Sequence, residues 1–477
     1  MKIVRMITLI VMQLVGQSLY AALPVQISAA LKTENVPLDS VSVFVQRVDE
    51  ATPKLFYNAD VAMNPASVMK LITSYAALEI LGPAFRWKTN FYAIESIENS
   101  KLNGGLWVKG SGDPSLNSGN LAEIASAIHQ RYGLQHICCG LMVDNSVFMP
   151  TEFDSNSFDK QPYRSYNAPA EALMLNQQAV RLQFVSPENL KNNDKVITVT
   201  YPNWPDLHIK TDVRVSADGC NDWKSQLVFN RVADVFSISG KYPASCNDKY
   251  VDLYWMSGPE YFSSFFYSAW LSVGGSWLKK ESKTALPKMG FARLPESATL
   301  LYQHSSPPLA NILRDMNKTS NNVIARAVYL TLSSTDNQPA SANKSEQVIK
   351  NWLASKQLNF SELELENGTG LSRKERISAV HLGELLMNAY HSPVMPELTA
   401  SLPVLGVDGT LEKRKDNLAS GRAHLKSGSL DNVRAIAGYV LDKQSRRWVV
   451  VFIANGLHAA KTKSAQQALL DWIVMQP

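Results

Sequence analysis

A serine hydroxyl is a weak nucleophile until a base takes its proton, and a lysine held neutral by its surroundings can be that base. In Ser67-Val68-Met69-Lys70 the two groups stand three residues apart, the spacing that puts side chains on one helix face. A second cation nearby would favour the neutral lysine by repulsion. A helix that begins at the serine would also offer the Ser67 backbone N–H to a developing oxyanion. Ser320-Asn321-Asn322 brings a hydroxyl able to pass a proton and an amide able to hold a carbonyl. Lys426-Ser427-Gly428 brings positive charge, a hydroxyl for a carboxylate, and a glycine that lets substrate backbone approach a strand edge. Together these residue types point to acyl transfer through Ser67.

Spacing alone does not single out Ser67, because S-x-x-K also occurs at Ser157, Ser276 and Ser341. The elements around each match separate them. Ser341 lies in a polar loop, Ser157 in an Asn/Ser/Asp-rich loop and Ser276 in a Gly-flanked segment. Ser67 follows a predicted strand at 41–48 with a hairpin partner at 54–58, and it opens an apolar helical run that Gly82-Pro83 stops. Ser320 falls between helical runs at 309–316 and 322–332, with further helices predicted at 346–355 and 380–389. Lys426 leads into strands at 435–441 and 448–454, joined by the turn 442–445, and a last helix is predicted at 461–474. Strands and helices at the two ends are each incomplete alone. The economical arrangement is one α/β (α+β) domain, closed by both ends of the chain, with an antiparallel sheet flanked by helices. The middle, roughly 89–291, differs: short β-like runs, strands at 196–201 and 226–239, and no long helical periodicity.

The order S-x-x-K, S-x-N, K-[ST]-G occurs in class A β-lactamases and penicillin-binding proteins, with S-D-N and K-T-G as the usual forms. The chain resembles the DacB type of penicillin-binding protein, the low-molecular-mass class C group. About 250 residues separate Lys70 from Ser320, where that family carries a long two-part insertion and class A enzymes place their motifs much closer. The stretches 110–115 (GSGDPS), 367–372 (NGTGLS), 402–411 (LPVLGVDGTL) and 426–430 resemble it as well. The likeness covers nearly all of the chain beyond residue 21 and is weakest across 180–290. Asn321 stands where Asp is usual and Ser427 where Thr is usual; Ser320, Asn322 and a hydroxyl at 427 are retained.

That resemblance implies a β-lactamase/transpeptidase-like domain from 22–88 plus 292–477. It further implies an inserted domain from 89–175 plus 251–291 and a smaller β-rich one at 176–250. It implies a serine D-alanyl-D-alanine carboxypeptidase/endopeptidase acting on peptidoglycan peptides that end in D-Ala-D-Ala or are cross-linked through D-Ala. β-Lactams would inhibit it, and no cofactor or metal would take part. Ser67 would be the nucleophile and Lys70 its base, while Ser320 and Lys426 relay a proton to the departing amine. The backbone N–H groups of Ser67 and Ser429 would form the oxyanion hole. Ser427 and Ser429 would bind the terminal carboxylate beside Gly428, and Asn322 a substrate amide. Asp144, in the segment 143–148, would approach the free amine of a diamino acid; a solvated loop carboxylate is the rival reading. The same trio would also serve a β-lactamase or a D-amino-acid esterase. A catalytically idle peptidoglycan-binding scaffold is the non-enzymatic alternative.

Composition fits this picture: 45% hydrophobic and 19% charged residues is a globular mix without bulk disorder. Lys2 and Arg5 precede an apolar run at 7–15 and small residues at Ala21 and Ala22, the layout of a secretory signal peptide over 1–21. The chain is therefore expected to be exported, and periplasmic in a Gram-negative envelope. Removing the signal lowers the formal net charge from +5 to +3, with no polybasic cluster, which argues against a nucleic-acid partner. No later stretch approaches the roughly 20 apolar residues of a membrane-spanning helix, so no transmembrane anchor is expected. Export permits disulfides, and Cys220–Cys246, closing one loop, is the natural pairing. Adjacent Cys138 and Cys139 seldom bridge each other because the geometry is strained. With no C-x-x-C or His cluster beside them, the four cysteines read as structural.

Overall fold

Strands buried on both faces read as near-continuous apolar runs, and the 41–48, 435–441 and 448–454 segments do so. In the structure, a computed structural model, these runs are the middle of one five-stranded antiparallel sheet. The residues described are 22–150, 153–185, 191–202, 209–232, 235–277, 289–334 and 338–477, so the signal-peptide reading of 1–21 lies outside them. The sheet order is Leu55–Tyr57, Val41–Arg47, Arg447–Asn455, Val433–Leu441, Ala423–Leu430. Val43 is opposite Phe452 and Lys426 opposite Ala437. The two-residue period of a strand then sorts side chains into two cores. Phe44, Ala435, Tyr439, Val449, Val451 and Ile453 face the helices Lys70–Ile80, Leu309–Thr319, Asn322–Thr331 and Ala379–Tyr390. Val43, Val45, Ile436, Val450 and Phe452 face Val25–Thr33 and Lys463–Val474.

Between the two ends of the chain lies a second set of cores. A five-stranded sheet runs Met289–Phe291, Leu141–Asp144, Leu106–Lys109, Lys88–Ala93, Thr299–Ser305. Thr299–Ser305 lies within the 292–477 stretch, yet it pairs along Lys88–Ala93 and completes this sheet rather than the one at the chain's ends. Two 15-residue helices, Ser118–Tyr132 and Gly258–Ser272, cover it. The sequence reading expects no long helix there. Gly258–Ser272 is rich in Ser, Phe and Tyr, weak helix formers, but Phe262, Phe266 and Trp270 are fully buried on it, so packing decides. Its start was legible: Ser257 and Glu260 form a capping box with Pro259 in the first turn. A smaller core (Leu182, Phe184, Trp223, Phe236, Tyr242) joins two three-stranded sheets. There a disulfide links Cys220 and Cys246, with Cα atoms 4.9 Å apart.

Candidate active site

Ser67 sits in a single 3-10 turn, Ala66–Met69, that runs directly into the helix Lys70–Ile80. The turn is tied down on both sides. Asn64 Oδ1 accepts from Ala66 N (2.8 Å), and Asn64 Nδ2 donates to Ser372 O (2.8 Å). Asn455, on the central sheet, exchanges two hydrogen bonds of 2.9 Å with the Asn64 backbone. These bonds hold Ala66 at φ +47°, a left-handed conformation that a residue with a Cβ seldom adopts. The half-buried Ser67 follows it.

One turn in, Lys70 is fully buried. Its Nζ donates to Ser67 Oγ (3.1 Å), Asn322 Oδ1 (2.7 Å) and Thr369 O (2.5 Å). Burial pushes the Lys70 pKa well below its ordinary value, and the charges of Lys426 and Arg326 push in the same direction. The Glu375 carboxylate opposes them. Glu375 is itself fully buried; its Oε1 accepts the backbone N–H groups of Glu366, Asn367 and Gly368 (3.0–3.2 Å). It thereby shapes the loop whose Thr369 carbonyl holds Lys70. Burial raises the Glu375 pKa.

Lys426 closes the other side. It is fully buried on the edge strand Ala423–Leu430 and donates to Ser320 Oγ (2.9 Å) and to the Ser427 carbonyl (3.0 Å). Burial lowers its pKa to about 7. Ser320 is a left-handed residue (φ +59°) at the junction of helices Leu309–Thr319 and Asn322–Thr331. Ser427 Oγ lies 2.7 Å from Thr410 Oγ1, and Ser429 is exposed further along the same edge. The strand runs against the nucleophile turn. A Cβ on Gly428 would sit 2.4 Å from Pro65 O and 3.2 Å from Ser67 N. On Gly370 (φ +81°) it would sit 1.9 Å from Ala66 O. Hydrogen bonds thus connect Ser67, Lys70 and Asn322 into one group and Ser320, Lys426 and Ser427 into a second. Gly428 packs on the Ser67 turn between them.

Asp144 ends the strand Leu141–Asp144 of the inserted sheet. It is 1% exposed, and its two carboxylate oxygens accept the backbone N–H groups of Ser146 and Leu294, each at 2.9 Å. Those bonds tie down the backbone at 146 and 294, and Asp144 lines a cavity together with Lys109, Ser146 and Arg293. The other S-x-x-K serines also have ordinary roles or surroundings. Ser341 caps the helix Ala342–Ser355, Ser157 bonds its own turn, and Ser276 Oγ meets His136. The motifs gave no sign of Glu375, Arg326 or Tyr166, and Thr410 lay in the stretch 402–411 without an assigned role. Arg326 is mostly buried and donates to the carbonyls of Tyr166 (3.1 Å) and Ala168 (2.6 Å), and burial lowers its pKa to about 10. Its place one helical turn after Asn322 was the available signal. No group of three or more His, Cys, Asp or Glu among the described residues could hold a metal ion. No helix among them is long and apolar enough to cross a membrane.

Residues 23–475 match the D-Ala-D-Ala carboxypeptidase 3 (S13) family. The chain belongs to this family. The D-alanyl-D-alanine carboxypeptidase DacB of Haemophilus influenzae is 23% identical over 417 residues, 86% of this chain and 85% of that one. The D-alanyl-D-alanine carboxypeptidase of an Actinomadura species is 26% identical over 457 residues, covering 91% and 81%. In structure, the S13 chain is similar to penicillin-binding protein 4 (DacB) from Haemophilus influenzae, with a TM-score of 0.78 at 21% identity. That match covers 95% of this chain and 100% of the other, and it carries the fold. The same Haemophilus protein is also known in complex with a β-lactam, with a TM-score of 0.75 at 20% identity.

Proposed function

We propose that the chain is an exported serine D-alanyl-D-alanine carboxypeptidase with endopeptidase activity, acting on peptidoglycan peptides through a Ser67 acyl-enzyme and acylated by penicillins. The observation that carries this reading is the buried Lys70, hydrogen-bonded at 3.1 Å to Ser67 Oγ and pushed toward its neutral form. Neutral Lys70 takes the Ser67 proton as Oγ bonds to the carbonyl carbon of the penultimate D-Ala. The backbone N–H groups of Ser67 and Ser429 receive the oxyanion. The C–N bond then breaks, and a proton delivered through Ser320 and Lys426 leaves with the amine of the terminal D-Ala or of the cross-linking residue. Water hydrolyses the ester and regenerates Ser67. Ser427 and Ser429 receive the terminal carboxylate and Asn322 a substrate amide, with Gly428 keeping the strand edge open. The sheet closed by both chain ends carries this chemistry, and the modules inserted between them shape its approach. A signal peptide over 1–21 directs the chain to the periplasm.

The test is a fluorescent penicillin on the mature protein beside Ser67→Ala. A stable adduct that the substitution abolishes supports the reading. Rapid turnover of the penicillin points instead to a β-lactamase or a D-amino-acid esterase. No adduct moves the assignment to an idle peptidoglycan-binding scaffold, and one that survives without Ser67 moves the nucleophile to another serine.

A further inference from the structure

Asn176, Gln177 and Gln178 are three consecutive non-glycine residues in the left-handed region, at φ +47°, +55° and +56°. Such a run is unfavourable at every residue and persists only where the surroundings impose it. Here they do. Asn176 Oδ1 accepts from Ser118 N (3.1 Å) at the start of one covering helix, and Asn176 Nδ2 donates to the Tyr261 hydroxyl (3.3 Å) on the other. Gln178 Nε2 donates to Pro169 O (2.7 Å). The outer two side chains lock the loop into the inserted module, and the middle one reaches out of it. Gln177 Oε1 accepts from Asn321 Nδ2 at 2.6 Å.

Asn321 is the centre of the Ser320-Asn321-Asn322 turn. Its Oδ1 caps the following helix by accepting Ile324 N (3.0 Å), so its amide group must find an acceptor elsewhere. Gln177 supplies it. On either side of Asn321 stand Ser320, bonded to Lys426, and Asn322, bonded to Lys70. Asn322 Nδ2 also points at Tyr166 O (3.5 Å), a second contact from the same inserted region. One hydrogen bond therefore fixes the residue between the two that meet the buried lysines.

We infer that Gln177 is a positioning residue for Ser320 and Asn322, delivered to Asn321 by the left-handed loop. The inserted module thus helps to build the active site rather than only shaping its approach. The inference rests on the acyl-enzyme reading for its rate effect, but not for its structural effect. Two measurements on Gln177→Ala and Gln177→Glu separate these. In the penicillin reaction, Gln177→Ala acylates roughly 5-fold more slowly, the scale of one lost hydrogen bond, while Gln177→Glu, which keeps an acceptor oxygen, acylates at the native rate. Amide hydrogen exchange over 317–326 is faster in Gln177→Ala and native in Gln177→Glu, and it reads the turn whether or not Ser67 is acylated. Asn321→Ser keeps a capping oxygen but removes the donor, so adding it to Gln177→Ala produces no further slowing of acylation or quickening of exchange. Native exchange in Gln177→Ala overturns the inference. So does a Gln177→Glu protein as impaired as Gln177→Ala, or additive effects in the double variant.

Discussion

Lys70 and Lys426 direct their hydrogen bonds to hydroxyl, amide and carbonyl oxygens rather than to carboxylates. Two ammonium groups buried in this way are expensive when charged, and that expense is what makes them usable as proton carriers. Lys426 has a folded pKa of about 7 against about 10.4 in an unfolded chain. Between those values the unfolded state binds more protons, so stability rises with pH across the window and the gain is complete above it. Lys426→Met should flatten that rise, increase the melting temperature near pH 7, and slow acylation by about 100-fold or more. Denaturant titrations at pH 7 and 9 beside acylation rates check this; a slope unchanged by the substitution would refute it. Glu375 acts in the opposite direction on Lys70, raising its pKa. In Glu375→Gln, Lys70 should lose its proton at lower pH, and the acid limb of the acylation profile should move down. A uniform fall in rate at every pH would show only a disturbed 366–368 loop.

The elements matter through close approach. The nucleophile turn, the 367–372 loop and the edge strand Ala423–Leu430 meet with no room for a methyl group at Gly370 or Gly428. Gly370→Ala adds a left-handed penalty to a Cβ placed against Ala66 O, so acylation should fall by at least 10-fold with secondary structure retained by circular dichroism. The disulfide belongs to another element set. Its loop spans 26 residues, and Cys220→Ser with Cys246→Ser should lower local stability by about 3 kcal/mol while the penicillin adduct still forms. Protection from proteolysis around 176–250 would report the first effect and the fluorescent adduct the second. The trio of motifs was legible because each lies on an element with a clear local signal: an apolar helix start, a helix junction, a strand leading to a hairpin. Glu375 and Gln177 were not. Glu375 bonds a loop only seven to nine residues away, but its effect falls on Lys70, and Gln177 meets Asn321 across 144 residues; neither residue type nor spacing records those distant meetings. The surroundings of Asp144 were equally hidden: its sequence neighbours do not record the hydrogen bond that Leu294, 150 residues away, makes to its carboxylate.

At the scale of the molecule, both ends of the chain build one sheet, and this was readable because neither end supplies a closed set of strands. Which strands fall on which side of the insertion was less so: Thr299–Ser305 has no local mark tying it to Lys88–Ala93. The sheet order has one more consequence. Val41–Arg47 lies between Leu55–Tyr57 and Arg447–Asn455, so the strand that precedes Ser67 has a partner made only near the end of synthesis. Asn455 clamps the turn that carries Ser67, and Lys426 also arrives late. A chain interrupted before residue 420 carries its nucleophile but neither the clamp nor the second lysine. The order of translation therefore sets the order of assembly: the sheet, the clamp on the Ser67 turn and the second lysine can come together only once the chain through residue 455 is present.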